Sequence, residues 1–291
     1  MENGKYILPQ ELPREMVRLR DQGEWYDSML GGFFVGLDEE EPSLQRVLDV
    51  GCGPATTILM DAERYPAKHF TGLEISERMI HYARSQATLN KLENVHLEVG
   101  DAAQPFPYAP ASFDLVFARF VFAFISLEAW PAFIQRCATV TASGGWLKII
   151  EGTGEVTSSS EINNLVWSAC MEGFYRAKRA YSPHSIGLVE RFPQYLAEAG
   201  YSHVQQNRII LHIQHGTPGW KAMTDDYRAM YNMLLPALKH VGVITDTPAR
   251  PGEMTEKEYR RAVRDAAQAM QQKNFVCSFP VVITVAQKGG K

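Results

Sequence analysis

The sequence has no Cys-x-x-Cys pair and no cysteine spaced against histidine; its four cysteines stand apart at Cys52, Cys137, Cys170 and Cys277. That spacing argues against a zinc site and against a disulfide framework, so no metal is expected, and isolated thiols fit a reducing cytoplasm. A basic run is also missing. With a net charge of -4 there is no concentrated Lys/Arg surface to neutralise phosphates, which disfavours nucleic acid as a partner. No window approaches the ~18 consecutive apolar residues that span a bilayer. The stretch from Met1 to Glu15 has no apolar core of the signal-peptide kind, so neither a secretory leader nor a membrane span is expected. Internal repeats and low-complexity segments are absent too.

What remains is an ordinary globular composition, 45% hydrophobic and 21% charged over 291 residues, long enough to bury a full core. One domain with additions fits better than two equal ones. From Arg46 onward, extended and helical patterns alternate. Strands are expected at 46–50, 69–73, 95–99, 113–118 and 146–150, with two more at 204–212 and 275–286. Such alternation implies a doubly wound α/β fold, a mostly parallel sheet with helices on both faces. Before the last strand, Thr217 to Asn274 is far longer than a crossover needs and reads as a helical insertion near the substrate face. Gln10 to Leu37 reads as a helical cover. The expected division is therefore 1–40 as cover and 41–291 as main domain, with the insertion at about 217–274.

Val-Leu-Asp-Val-Gly-Cys-Gly-Pro-Ala-Thr, residues 47–56, joins a buried strand to a tight turn, with a helix expected to open at Pro54. A glycine turn lets backbone approach a ligand closely and aim N–H groups at it. The dinucleotide fingerprint is incomplete, because Thr56 stands where its third glycine belongs, and no Gly-Lys-Ser/Thr follows to make a phosphate loop. Instead an acid ends each of the next strands. Glu74, in Gly-Leu-Glu-Ile-Ser, is placed to accept from a ribose diol; Asp101 follows in Gly-Asp-Ala, and Asp114 in Ser-Phe-Asp-Leu-Val either caps a turn or serves the site.

As a set, LDVGCG, GLEIS, GDA, SFDLV and SGGWL resemble the class I S-adenosylmethionine-dependent methyltransferases, of the small-molecule, secondary-metabolism type. The resemblance implies a Rossmann-like, seven-stranded sheet and S-adenosyl-L-methionine as cofactor, with S-adenosyl-L-homocysteine as product. By the same resemblance Asp49 is the acid beneath the turn, Gly51 and Gly53 line the methionine moiety, and Cys52 lies between them. Glu74 holds the ribose, with Ile75 beside it and Met79 near the adenine. Asp101 accepts from the exocyclic amine, the Ala102 N–H donates to the ring, and Arg119 borders the cofactor through its main chain.

Two departures matter. Ala55 replaces a glycine common among relatives, which a helical backbone there would tolerate, and Ala123 stands where relatives often carry His. The remaining candidates for proton removal are His184, in a loop over the strand ends, and Glu151, at the tip of the fifth strand. Both have plainer readings, an exposed loop histidine and a turn cap. A pocket for a small organic acceptor is expected from Phe33, Phe34, Trp167, Tyr175 and Tyr181, closed by a cover that bends at Gly31 and Gly32. Methyl transfer to an O, N or C atom of that acceptor is the activity implied. A non-methylating rearrangement or cyclisation on the same fold, and a non-catalytic cofactor-binding module, are the alternatives; the oligomeric state is not encoded in any motif.

Overall fold

A computed structural model describes residues 13–289, with side chains from residue 17 onward. The chain runs α1 (Pro13–Leu30), β1 (Arg46–Val50), α2 (Thr56–Arg64), β2 (His69–Glu74), α3 (Glu77–Leu89), β3 (Val95–Val99) and β4 (Phe113–Arg119). It continues with α4 (Trp130–Val140), β5 (Thr141–Gly152), the two-residue β6 (Thr157–Ser158), α5 (Glu161–Arg176), α6 (Phe192–Glu198) and β7 (Tyr201–Gln214). Then come α7 (Trp220–His240), α8 (Glu256–Ala269) and β8 (Val276–Lys288). The cover residues expected before Pro13 lie outside the described residues.

All strands belong to one sheet, ordered β3-β2-β1-β4-β5-β8, with β7 outside β8. Neighbours from β3 through β5 are parallel, while β8 is antiparallel to both β5 and β7. Strand β6 pairs Ser278 and Cys277 of β8, an eighth strand too short to announce itself by periodicity. Central β1 and β4 are buried nearly throughout, as a strand covered on both faces must be, which is why they read as apolar runs. Because the strand order reverses between β1 and β4, their carboxyl ends diverge and open a crevice there.

Side chains cap several helices. Ser76 and Ser160 accept from backbone N–H groups at the starts of α3 and α5, and Thr255 forms a reciprocal capping box with Glu258 at α8. Helix α2 differs: it opens at Thr56 and not at Pro54, and the residue before it, Ala55, has no capping side chain.

The helices between β7 and β8 pack on α5 and on each other, and α7 also meets α1. Gln22 and Arg18 of α1 both bond Asp226 of α7. At the entry to α7, Gly219 sits at φ +78, and a Cβ there would lie 1.7 Å from the Trp25 ring, so only glycine allows the two helices to approach.

The loop after α1 is an anchor and not the hinge expected from its two glycines. Phe33 is fully buried, stacked 5.7 Å from Phe70 and edge-on to Phe117 at 5.0 Å. Its N–H donates to Asp61 of α2. Lys148 of β5, fully buried, donates from Nζ to the carbonyls of Gly32, Phe33 and Val35 at 2.9, 3.2 and 2.7 Å. Burial, with Arg119 adding to it, pulls the Lys148 pKa down to about 7, against the attraction of Asp61 and Asp27. Removing the amine strands three backbone carbonyls, that of Phe33 fully buried, and a buried polar group left unpaired costs about 1 to 3 kcal/mol. Urea unfolding of Lys148→Met should show a loss of at least about 3 kcal/mol. A loss below about 0.5 kcal/mol, the scale of an inert surface change, would mean that the aromatic contacts alone hold the loop.

Candidate functional site

The crevice at the β1/β4 switch point is a cleft of about 1040 Å³, its open mouth included, near the upper end of the ~300 to 1,000 Å³ typical of small-molecule sites. Its floor comes from the sequence segments singled out above. Asp49, Gly51, Cys52 and Gly53 line it from the β1 turn, Glu74 and Ile75 from the end of β2, and Met79 from α3. Asp101 and Ala102 line it from the segment after β3, and Arg119 from the end of β4.

The β1 turn is built tightly against β2. Gly51 has φ +77, and a Cβ there would lie 2.8 Å from the Phe124 ring. The N–H groups of Gly51 and Cys52 both donate to the Leu73 carbonyl, and the Gly53 N–H donates to Glu74 Oε2 at 3.2 Å. All three turn amides are therefore spent on the protein. A phosphate has nothing to dock on at this turn, unlike in a dinucleotide site, and what the turn offers is close backbone approach. The Cys52 side chain occupies the space left by the missing Cβ of Gly72, and burial holds its thiol neutral by pushing its pKa well up.

Three carboxyl groups face this floor. Glu74 is 7% exposed and also accepts from the Ser76 N–H at 2.9 Å; burial raises its pKa against those hydrogen bonds. Asp101 accepts from the Ala103 N–H at 2.8 Å. Asp49 is pushed up to about 7, first by burial and then by the negative charges of Asp27 and Glu74, with Arg119 opposing. The cleft's only basic side chain among its lining residues is Arg119, and it is already engaged: it pairs with Asp27 at 2.6 Å and donates to Thr57 Oγ1 at 3.1 Å. A cavity lined this way suits a ligand that carries positive charge and hydroxyl donors.

The roof comes from α1 through Leu19, Gln22, Gly23 and Tyr26, one helical stripe at i, i+3, i+4, i+7 spacing. The wall beyond Arg119 is aromatic: Phe120 and Phe124 line it, and the Tyr26 ring lies 4.6 Å from Phe120. Two residues beside the turns adopt left-handed backbone, Ala55 at φ 59 and Phe120 at φ 54. Ala55 thus lacks the helical dihedrals that would make its methyl innocuous.

The residues expected to handle a proton lie elsewhere. Glu151 is fully buried behind the Phe120–Phe124 turn, where Oε1 accepts from the Phe122 N–H at 3.1 Å and Oε2 has no partner among the described residues; burial drives its pKa well up. His184 is exposed on a turn held by the Ser182 hydroxyl. Neither lines the cleft. The expected acceptor pocket is not assembled either. Phe33 and Phe34 are core, Trp167 donates to the Gly154 carbonyl, Tyr175 is 45% exposed, and the Tyr181 hydroxyl meets that of Tyr195. Sequence reasoning missed Tyr26, Thr56, Thr57 and Asp27. The stripe on α1 was a usable signal for Tyr26; the threonines follow the glycine turn without any motif of their own.

Residues 47–145 match the methyltransferase domain family. Among curated proteins, the chain is 33% identical over 125 residues to ajmaline N-methyltransferase of Rauvolfia serpentina, a match covering 43% of this chain and 42% of that protein. It is 36% identical to aklanonic acid methyltransferase DauC of Streptomyces sp. (strain C5), covering 41% of this chain and 56% of that one. The chain thus spans about half the length of the curated relatives it matches. A solved structure, the YcgJ protein of Bacillus subtilis, superposes with TM-score 0.52 over 85% of this chain and 93% of its own, at 15% identity, which speaks to the fold alone. The family match falls on β1 through the start of β5, the stretch whose strand ends form the floor of the cleft, and the sheet around it is of the Rossmann-like, mostly parallel type.

Proposed function

We propose that the chain binds S-adenosylmethionine in the β1/β4 cleft and transfers its methyl group to an O, N or C atom of a small organic acceptor, releasing S-adenosylhomocysteine. The observation that carries this reading is the pairing of three acids with a turn whose amides are all spent, a lining that disfavours phosphate and favours a cation bearing a ribose diol. Relatives named for ajmaline and aklanonic acid support an organic acceptor. In this reading Glu74 accepts from the diol, Asp101 from the exocyclic amine, and Met79 and Ile75 pack against the adenine. Gly51 and Gly53 leave room for the methionine chain, and Asp49 supplies negative charge below it.

The bound cofactor supplies an electrophilic methyl group on a sulfonium. The chain's own contribution is alignment and dryness. Tyr26, Phe120 and Phe124 form a wall against water, and α1 holds it in place through the Asp27–Arg119 pair. Proximity of this kind can supply ~7 kcal/mol or more without a protein nucleophile. No histidine is among the lining residues, so attack draws on alignment. We take residues 1–40 as the cover and 217–274 as an insertion bracing it, on the contacts of α1 with α7. A cytoplasmic setting is supported by four unpaired thiols, and the acidic net charge supports a partner other than nucleic acid. Among the described residues no helix is long and apolar enough to cross a membrane.

Incubating the protein with methyl-labelled S-adenosylmethionine and a small-molecule extract should place label in an organic product. An altered but unlabelled product would overturn methyl transfer. In calorimetry, Glu74→Ala should weaken cofactor binding roughly tenfold or more, since a hydrogen bond to a charged group is worth about 1.5 to 3 kcal/mol. Unchanged affinity removes Glu74 from the site.

The Asp49 pKa near 7 gives a pH dependence with a definite sign. A cationic ligand favours the ionised carboxylate, so affinity should rise as pH climbs through about 7, and binding below that pH should release a proton. Calorimetry in buffers of different ionisation enthalpy reads that proton directly. Proton uptake on binding, or affinity falling with pH, would exclude Asp49 as a counter-charge.

A further inference from the structure

Beyond Arg119 the aromatic wall of the cleft rests on one tight turn. Phe120, with left-handed backbone at φ 54, leads into a single 3-10 turn, Val121–Ala123. The Phe124 and Ile125 N–H groups both return to the Val121 carbonyl at 3.0 Å. The first N–H groups of a helical turn have no partner within it and need an acceptor from outside. A Ser, Asp or Asn at the position before the turn ordinarily supplies one. Here that position holds Phe120, whose ring lines the cleft, and the turn has no side-chain cap of its own.

The acceptors come from the tip of β5. The Ile150 carbonyl receives the Phe120 N–H at 2.9 Å, and Oε1 of the next residue, Glu151, receives the Phe122 N–H at 3.1 Å. Two consecutive residues of one strand thus hold the start of the turn. The arrangement is costly, since a fully buried carboxyl uses one oxygen while Oε2 has no partner among the described residues. A capping side chain at position 120 would satisfy the same amide without a buried acid, but it would put no ring in the cleft. Inside the turn, Val121 and Ile125 are buried and Phe122 packs edge-on to Phe174 at 5.4 Å. Phe120 and Phe124 are the members left to line the cleft, and the Phe124 ring closes over Gly51.

Resting on the methyl-transfer reading, we propose that Glu151 is a positioning residue: its carboxyl replaces the missing cap of the Phe120–Phe124 turn and so fixes the aromatic wall against which an acceptor is aligned. It touches neither cofactor nor acceptor. Burial favours its uncharged form, so the wall is held without a full charge behind it, and a neutral acceptor of the same length should serve as well. The cofactor floor, built on Glu74 and Asp101, does not depend on it.

The test joins amide hydrogen exchange with methyl transfer. Glu151→Leu should speed exchange of the Phe122 amide roughly tenfold while the β4 and β5 amides keep their protection. Transfer from methyl-labelled S-adenosylmethionine into products of a small-molecule extract should fall roughly tenfold or more, with S-adenosylmethionine affinity by calorimetry within about threefold. Glu151→Gln, which keeps the acceptor oxygen, should restore both exchange and transfer. Unchanged Phe122 exchange in Glu151→Leu overturns the cap, and faster exchange with undiminished transfer overturns its role in alignment. Transfer as impaired in Glu151→Gln as in Glu151→Leu would make the carboxyl a proton-handling group instead. In the wild type, a Phe122 amide exchanging as fast as an unstructured peptide overturns the proposal without any variant having to fold. If the wild type binds no S-adenosylmethionine, the cofactor reading falls, and exchange alone still decides whether Glu151 caps the turn.

Discussion

The burial of Arg119 at the tip of β4 is the constraint around which the cleft is organised. A guanidinium cannot be left unpaired in a dry site. Asp27 of α1 answers it at 2.6 Å, Thr57 of α2 accepts from it, and the Tyr26 and Phe117 rings flank it at 5.7 and 5.9 Å. Cover helix, first crossover helix and sheet are thereby fixed relative to one another at the place where the strand order reverses. Breaking such a pair by deleting one partner typically costs about 3 to 5 kcal/mol, because the other charge stays behind. The cover is thus part of the domain's electrostatics as well as a roof.

The same pair determines what the cleft can bind. With its one cation neutralised internally, the lining is left with carboxylates; burial raises the pKa values of Asp49 and Glu74, and at Asp49 the charges of Asp27 and Glu74 add to it. A cationic ligand relieves both strains at once, supplying counter-charge and accepting the desolvation the acids have already undergone. Lys148 shows the contrasting solution a short distance away. There a buried cation is satisfied by three backbone carbonyls, with no ligand involved, and the result is a rigid loop and not a site.

Much of this was legible in the sequence because it rests on local pattern. Buried strands β1 and β4 announce themselves as Val/Leu-rich runs, and acids at the ends of β2 and β3 follow from chain order, so the floor of the cleft could be read one residue at a time. The proton-handling residues could not. Whether Glu151 reaches the cleft depends on which way the Phe120–Phe124 turn folds over it, and the turn places the Phe122 N–H on its carboxylate instead. Phe33 and Phe34 failed for a related reason: aromatic residues before a first strand are equally suited to core and to pocket, and only the Lys148 and Asp61 anchors, distant in sequence, decide for core.

Backbone strain is the part least visible in the sequence, and two of its instances shape the site while Lys91, Ala111, Lys178 and His203 adopt the same left-handed backbone elsewhere. Left-handed dihedrals cost a residue with a Cβ about 1 kcal/mol or more. Ala55 and Phe120 both adopt them, one behind the β1 turn and the other behind β4, flanking the cleft floor. At Ala55 the bend turns the chain from the strand end so that α2 starts without a cap, which leaves its first amides unclaimed. At Phe120 it swings an aromatic ring across the mouth toward Tyr26. A glycine would relax either position, yet Phe120 would then lose its ring from the wall, and Ala55 is fully buried, so its methyl contributes packing against the strain it causes. Local conformational preference is overruled at these two turns by the cleft they shape, which is where sequence and fold are expected to disagree in a protein that works through a site.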